Sequence, residues 1–435
     1  MKDRVVSGSI RSLHHGLRKL FSFLPKPIRF SIYRSFVDCD PAPDPRLVLK
    51  IAETQEELEA CFKLLHDAYV SSGFMKPDAS GLRVTTYHAL PTTTTLCAKF
   101  DGEVVGTLSL IRESVFGFPL QAVFDLSEVR AKGGKIAEVS ALAVHPSFRK
   151  TGGAILFPLM KFMYDYCTTF FDTRHVVIAV NPDRIEMYES LLFFKRLKSS
   201  FVANYDFANG SPAVGATLDL KELSRHLKRA FQGKSDRKSL YHYFIKLTLP
   251  NIEVPSRRFY TTNDPVMKPE MLDYFFNQRT RGFDKLDDRE KALLYSIYSL
   301  PQYGKYLPIG FSHSDPGKVA RQQQRYSFKC SGLFTIELAG QVETYTLTVV
   351  DCSLHGFLAH AATPVTCQVW GEVVVQLGPR EESRIRALAV GRKKDAGFYG
   401  FKLAEPDLTW RKFVATLEAG TTQDDMDNAT RFLPD

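Results

Sequence analysis

The stretch EVSALAVHPSFRKTGGAILF, residues 138–157, decides how the first half of this chain folds. Its opening residues, Glu138 to Val144, have the composition and length of a sheet strand, and His145-Pro146 ends it. Arg149, Lys150, Gly152, Gly153 and Ala154 then cluster where an apolar run begins, and GGAILFPLMKFMYDYCTTFF (152–171) reads as a helix. Backbone N–H groups at a helix start, bared by glycine and flanked by basic side chains, suit a phosphate. Pro158, inside that predicted helix, should kink it or delay its start.

Working outward, strands and helices alternate. RLVLKIAE (46–53) reads as a strand, and TQEELEACFKLLHDAYVSSG (54–73) as a helix opened by a capping-box pair, Thr54 and Glu57. TTTTLCAKFDGEVVGTLSLI (92–111) is a hairpin turned at Asp101-Gly102. HVVIAVN (175–181), the helix RIEMYESLLFF (184–194), SSFVANYDF (199–207) and GATLDL (215–220) complete a mixed sheet with flanking helices over residues 46–232.

Before this domain, residues 1–45 form a basic arm. VVSGSIRSLHHGLRKLFSFLPKPIRF (5–30) places apolar residues at spacings of three and four opposite Arg11, His14, His15, Arg18 and Lys19, an amphipathic helix fit for a bilayer surface or a neighbouring domain. Pro25, Pro27, Pro41, Pro43 and Pro45 predict an extended lead after it. Residues 233–318 are a hydrophobic, partly helical connector, unlike a free tether. From 319 to 420 the pattern changes to short strands, RYSFKCSGLFTIEL, VETYTLTVVDCS, CQVWGEVVVQL, SRIRALAVGR and GFYGFKL, closed by the helix LTWRKFVATLEA. That predicts a six-stranded antiparallel β-barrel with a final helix, so the chain as a whole is α+β; residues 421–435 read as a flexible tail.

A length of 435 residues fits two such domains, and the net charge of +9 permits an anionic partner, whether a membrane surface, a nucleotide or an acidic carrier protein. Nucleic acid is not among the partners expected. Seven scattered cysteines, without a C-x-x-C pair or paired Cys/His spacing, point to a reducing compartment and no metal. No run of eighteen apolar residues and no secretory leader occur, so the expected location is cytoplasmic, with peripheral contact at the inner face of the membrane through the basic arm.

In the second half, Arg321 and Arg325 precede the first barrel strand, and Asp351, Ser353 and Gly356 follow the second. Two guanidinium forks match phosphate oxygens or a guanine edge, Asp351 can accept from guanine N–H groups, and glycine lets backbone approach a ligand. R-x-x-x-R followed by D-x-S-x-x-G resembles the PilZ domain. The resemblance implies cyclic di-GMP binding through these five residues. Read singly, the arginines are surface charges and Asp351 to Ser353 an Asx-type turn.

The segment RKTGGA resembles the phosphate loop of the GNAT acyltransferase superfamily, with Arg149, Gly152 and Ala154 at its fixed positions. More narrowly, YHALPTTTTLCAKFDGEVVGTLSLI followed by EVSALAV is similar to the N-acyl amino acid synthases and the related acyl-homoserine lactone synthases. The relatives' E-x-S-R-F pattern is here Glu138, Val139, Ser140, Ala141 and Leu142; loss of the Arg and the aromatic counts against lactone synthesis. The resemblance implies long-chain acyl transfer from acyl carrier protein to an amino acid's amine. The loop of Arg149, Lys150, Gly152, Gly153 and Ala154 would hold the donor's phosphopantetheine, and acyl-CoA could use it too. Glu138 is the candidate base, a backbone N–H from Leu142 to Val144 the oxyanion donor, and Tyr188 the acid for the departing thiol. Without these neighbours Glu138 reads as a surface ion-pair partner and Tyr188 as a core aromatic. The rival functions are a cyclic di-GMP receptor with an inactive GNAT module and an acetyl-CoA-dependent acetyltransferase.

Overall fold

The structure, a computed structural model, describes residues 23–114, 116–149, 151–171, 173–254, 258–261, 267–298, 301–308, 326–392 and 397–419. The predicted basic helix before residue 23 lies outside them. What was expected as an extended lead is partly a helix, α1 (Lys26–Ser35). Pro25 caps it and Pro27 sits in its first turn, where no backbone N–H is needed, so these prolines start a helix rather than forbid one.

There follow β1 (Leu47–Ile51), α2 (Gln55–Ser71), β2 (Thr93–Phe100), β3 (Glu103–Arg112), β4 (Lys135–Val144), α3 (Leu156–Thr169), β5 (Thr173–Val180), α4 (Ile185–Leu192), β6 (Lys195–Tyr205), β7 (Ser211–Asp219) and α5 (Leu220–Ala230). The capping box of α2 is half realised, since the Thr54 hydroxyl accepts from the Glu57 N–H at 3.2 Å. At the β2–β3 hairpin both Asp101 and Gly102 take positive φ, as a tight Asp-Gly turn requires. Pro158 delays its helix: α3 begins at Leu156, so the proline falls in the first turn. The strands form one sheet in the order β1-β2-β3-β4-β5-β7-β6. β4 and β5 are parallel, and the remaining neighbours are antiparallel.

The sheet buries both faces. On one, Phe162 and Tyr166 of α3, Ile185 of α4 and Leu223 and Leu227 of α5 pack against Leu108, Leu110 and Val176. On the other, Leu64 and Leu65 of α2 pack against Ala141 and Ala143 of β4. The helix α1 lies on α4 through Lys26–Glu189 at 3.1 Å, the Arg29–Glu186 pair, and Arg34 Nε donating to the Ser190 carbonyl at 2.9 Å.

Two segments of the connector pack in different places. Residues 267–298, including α6 (Asp288–Ile297), lay Phe275, Phe276, Phe283 and Leu294 on Leu58 and Phe62 of α2, and Tyr303 and Leu307 join the same cluster. Residues 258–261 instead join the second domain: Phe259 enters its core, Tyr260 N–H donates to the Leu377 carbonyl at 2.8 Å, and Arg258 pairs with Glu381 at 2.7 Å.

That second domain is a closed barrel of β8 (Tyr326–Leu338), β9 (Gln341–Ser353), β10 (Gly356–Ala361), β11 (Trp370–Gln376), β12 (Glu382–Arg392) and β13 (Phe398–Leu403), in the order β10-β13-β12-β11-β8-β9. The final helix α7 (Leu408–Ala419) buries Trp410 and Phe413 against Phe259, Phe328 and Phe357. Among the described residues no helix is long and apolar enough to cross a membrane.

Candidate active site

The parallel pair β4–β5 is in register only from Lys135–Thr173 to Glu138–Val177; β4 then continues to Val144 and β5 to Val180 without pairing. The sheet therefore opens beside the sequence segment that decided the fold. Against β3, Ser140 faces Ser109 and Ala143 faces Thr107, so Ala141 and Leu142 share the single opposing residue Leu108. This is a β-bulge, and Ala141 takes φ of +55° within it. The extra residue reverses the alternation of side chains. Val139, Leu142 and Val144 pack toward α3 and α4, whereas Ile136 and, past the bulge, Ala141 and Ala143 turn to the α2 side.

A cavity of about 490 Å³ fills the opening and reaches both faces. Leu142, Met160, Met163, Ile178, Tyr188 and Phe194 line it on the α3–α4 side. Tyr69, Tyr205 and Phe207 line it on the other, with Glu138 between. Glu138 is 2% exposed, so it is not a surface ion-pair partner. Its Oε2 accepts from the Leu120 N–H at 3.0 Å, and burial pushes its pKa up to about 8. Tyr188, on the first turn of α4, meets Phe194 edge-on at 5.8 Å, and burial raises its phenol above the usual range. Of the expected oxyanion donors, Leu142 lines the cavity; Val144 is paired with Gly106, and its carbonyl accepts from Arg149 Nε at 2.8 Å.

The glycine loop lies just before the start of α3, across Gly152 and Gly153, both at positive φ. A Cβ at Gly153 would stand 2.5 Å from the Phe157 ring, which is why only glycine fits there. A second cavity, about 400 Å³, opens on Gly152, Gly153 and Ala154, and Asp38, Asp40 and Arg237 rim it. Arg237 pairs with both carboxylates, at 3.1 and 3.5 Å. Lys150 lies outside the described residues. A small void of about 60 Å³, walled by Met160, Met187, Tyr188, Leu191 and Phe244, shares Met160 and Tyr188 with the main cavity.

In the barrel, Arg321 and Arg325 lie outside the described residues. Tyr326, which follows Arg325 in sequence, is opposite Cys352, between Asp351 and Ser353. The Ser353 hydroxyl donates to the Gly356 carbonyl at 3.2 Å. A Cβ at Gly356 would lie 2.6 Å from the Phe401 carbonyl, so close strand approach already demands this glycine.

Tyr69, Tyr205 and Phe207 were not among the residues singled out from sequence. They reach the cavity from α2 and from the end of β6, and no local motif marks them.

With this geometry in place, the chain can be set beside known proteins. Residues 60–219 match the family model for the N-acyl amino acid synthase FeeM. The match spans the bulged strand, the glycine loop and α4, and stops before the connector. The solved structure of FeeM, from uncultured soil microbes, is 24% identical over 42% of this chain and 95% of its own, with a TM-score of 0.35. The CoA-dependent acyl-homoserine lactone synthase BjaI, solved with SAM and isopentyl-CoA, is 19% identical over 43% and 91%, at a TM-score of 0.33. The acyl-homoserine lactone synthase LasI is 14% identical over 43% and 95%, also at 0.33. No curated protein sequence matches the chain.

Proposed function

We propose that this protein is an N-acyltransferase that moves a long-chain fatty acyl group from an acyl carrier protein thioester to the amine of an amino acid. Cyclic di-GMP bound at the barrel would regulate it. The observation that carries this reading is the buried Glu138 carboxyl, with no ion-pair partner among the described residues, set in the opening between β4 and β5 with Tyr188 on the same cavity. The family match over residues 60–219 supports it.

An α-amine has a pKa near 8, close to that of Glu138, so proton transfer between them is nearly isoenergetic. Glu138 takes the ammonium proton, the amine nitrogen attacks the thioester carbon, and the carbonyl oxygen becomes negative. The Leu142 N–H at the bulge is the proposed donor for that oxygen, ahead of Val144, because Leu142 lines the cavity and Val144 does not. The C–S bond then breaks as Tyr188 gives its proton to the leaving sulfur; its raised pKa keeps the phenol protonated until then. The donor enters on the α3–α4 side, where Gly152 and Gly153 would offer backbone N–H groups to phosphate, with Ala154 beside them and Arg149 nearby in sequence adding charge. The amine comes from the α2 side. The main cavity and the adjoining apolar void give room beyond an acetyl group.

An acidic carrier protein suits a chain of net charge +9. For the barrel, Arg321, Arg325, Asp351, Ser353 and Gly356 are the proposed cyclic di-GMP ligands, supported by the register that puts the chain beside Arg325 against Cys352.

The test is to express wild type and Glu138→Ala in bacteria, with and without a diguanylate cyclase, and compare organic extracts by mass spectrometry. New N-acyl amino acids in the wild type alone are expected, in an amount that changes with the cyclase. No new lipid in the wild type, or equal product from the variant, would overturn the catalytic assignment. Calorimetry with cyclic di-GMP tests the barrel separately: no heat at tens of micromolar removes the regulatory part.

A further inference from the structure

Behind the wall of the main cavity, on its α2 side, stands a cation without a carboxylate among the described residues. The Arg83 guanidinium lies 4.2 Å from the centroid of the Tyr69 ring and 5.0 Å from that of Phe207, both of which line the cavity. Its Nη2 donates to the Phe207 carbonyl at 2.8 Å, and no Asp or Glu among the described residues comes within ion-pair distance of it. Next to it, the Tyr205 hydroxyl is buried with no hydrogen-bond partner among the described residues, on a residue 4% exposed whose ring packs against Phe207 at 5.9 Å. Tyr205 lines the same cavity as Glu138. An orphaned buried hydroxyl is costly unless a ligand completes it, and the guanidinium, held by two rings, the Phe207 carbonyl and the Met75 sulfur, still carries a charge that no carboxylate among the described residues neutralises.

We infer that Arg83 and Tyr205 form the carboxylate subsite of the acceptor, so that the cavity selects free α-amino acids over amines lacking the acid group. This rests on the acyl-transfer reading and names its specificity. Glu138 lines the cavity and Arg83 stands directly behind two of its wall rings, Tyr69 and Phe207, a pair of opposite charges that matches a zwitterion: the ammonium goes to Glu138 and the carboxylate to the Tyr205 hydroxyl in the field of Arg83. Arg184 also lines the cavity, but it is exposed, neighbours Asp183 and lies on the chain leading into α4. It belongs to the donor's side. Arg83 acts as a specificity residue and takes no proton.

The experiment measures binding of the proteinogenic L-amino acids and their α-carboxamides to the full-length, donor-free protein by calorimetry and thermal shift, for wild type, Arg83→Gln and Tyr205→Phe. Tyr205→Phe keeps the ring's packing, so a folded variant is available even if Arg83→Gln loosens the loop. For at least one amino acid, the free acid should bind wild type about 10- to 100-fold more tightly than its amide, and both variants should shrink that ratio toward one. Equal binding of acid and amide, an unchanged ratio in both variants, or no binding by any of the panel overturns the subsite. Transfer assays run in parallel separate the two readings. Acid-selective binding without any acyl transfer would sink the transferase and keep the subsite, whereas transfer to amides as readily as to acids would sink the subsite alone.

Discussion

Glu138 holds its proton far beyond the range of a solvated carboxyl, because burial penalises the charged form and a single N–H from Leu120 offsets only part of that. The folded state thus binds this proton more tightly than the unfolded chain does. Stability contributed here is full below the ordinary carboxylate range and is lost as pH rises toward about 8. Glu138→Gln should therefore raise the melting temperature relative to wild type at pH 9, with the gap closing by pH 5. The same variant should lose at least about 100-fold in kcat/KM, and the wild-type pH–rate profile should rise with an apparent pKa of about 8. A profile already flat at pH 6 would contradict the base assignment. Tyr188→Phe keeps the ring against Phe194 and removes only the hydroxyl that carries the proton, so kcat should fall by about 100-fold or more with little change in melting temperature. Glu138 and Tyr188 were legible because each sits within a short pattern of fixed spacing. Arg83, Tyr69 and Tyr205 were not, since the fold gathers them from separate elements and nothing in their immediate neighbours marks them.

Among the elements, β4 decides the most. Its sequence, KIAEVSALAV, gives no sign of an interruption, yet the chain inserts one residue against β3 and places Ala141 in the left-handed region. Alternation of side chains predicts which residues are in a strand and cannot predict a register slip that tertiary packing imposes. A β-branched residue is strained at such a φ, so Ala141→Val should cost more than about 1 kcal/mol, read by chemical denaturation, and reduce transfer with it. Ala141→Gly should be tolerated. Prolines taught a similar lesson: Pro158 delayed a helix as expected, while Pro25 and Pro27 introduced one where a lead was expected. In each case the position within the first turn decides the outcome, and sequence gives that position only to within a residue or two.

At the scale of the whole molecule, the connector is the part that sequence described least. It covers α2 and grips the loop that carries Arg83: Arg279 Nη2 donates to the Ser80 carbonyl at 3.2 Å, and the Tyr298 hydroxyl donates to the Ala89 carbonyl. A chain ending at residue 232 would bare Leu58, Phe62 and Leu90, each large side chain worth about 1.5–3 kcal/mol of burial, and should aggregate on gel filtration. The full chain should elute as a discrete species. If the shorter chain is equally soluble and equally stable, the connector is not part of the first domain's core. The strap at 258–261 has a further consequence. Phe259 packs in the barrel's core cluster, and a Cβ on Gly378 would lie 1.9 Å from the Arg258 carbonyl, so the barrel owns a piece of chain that precedes the first domain's cover. The two halves are interleaved along the chain as well as in space. A recombination that moved the barrel to another protein would have to carry the cover along, and one that cut at 319 would leave behind a wedge the barrel needs.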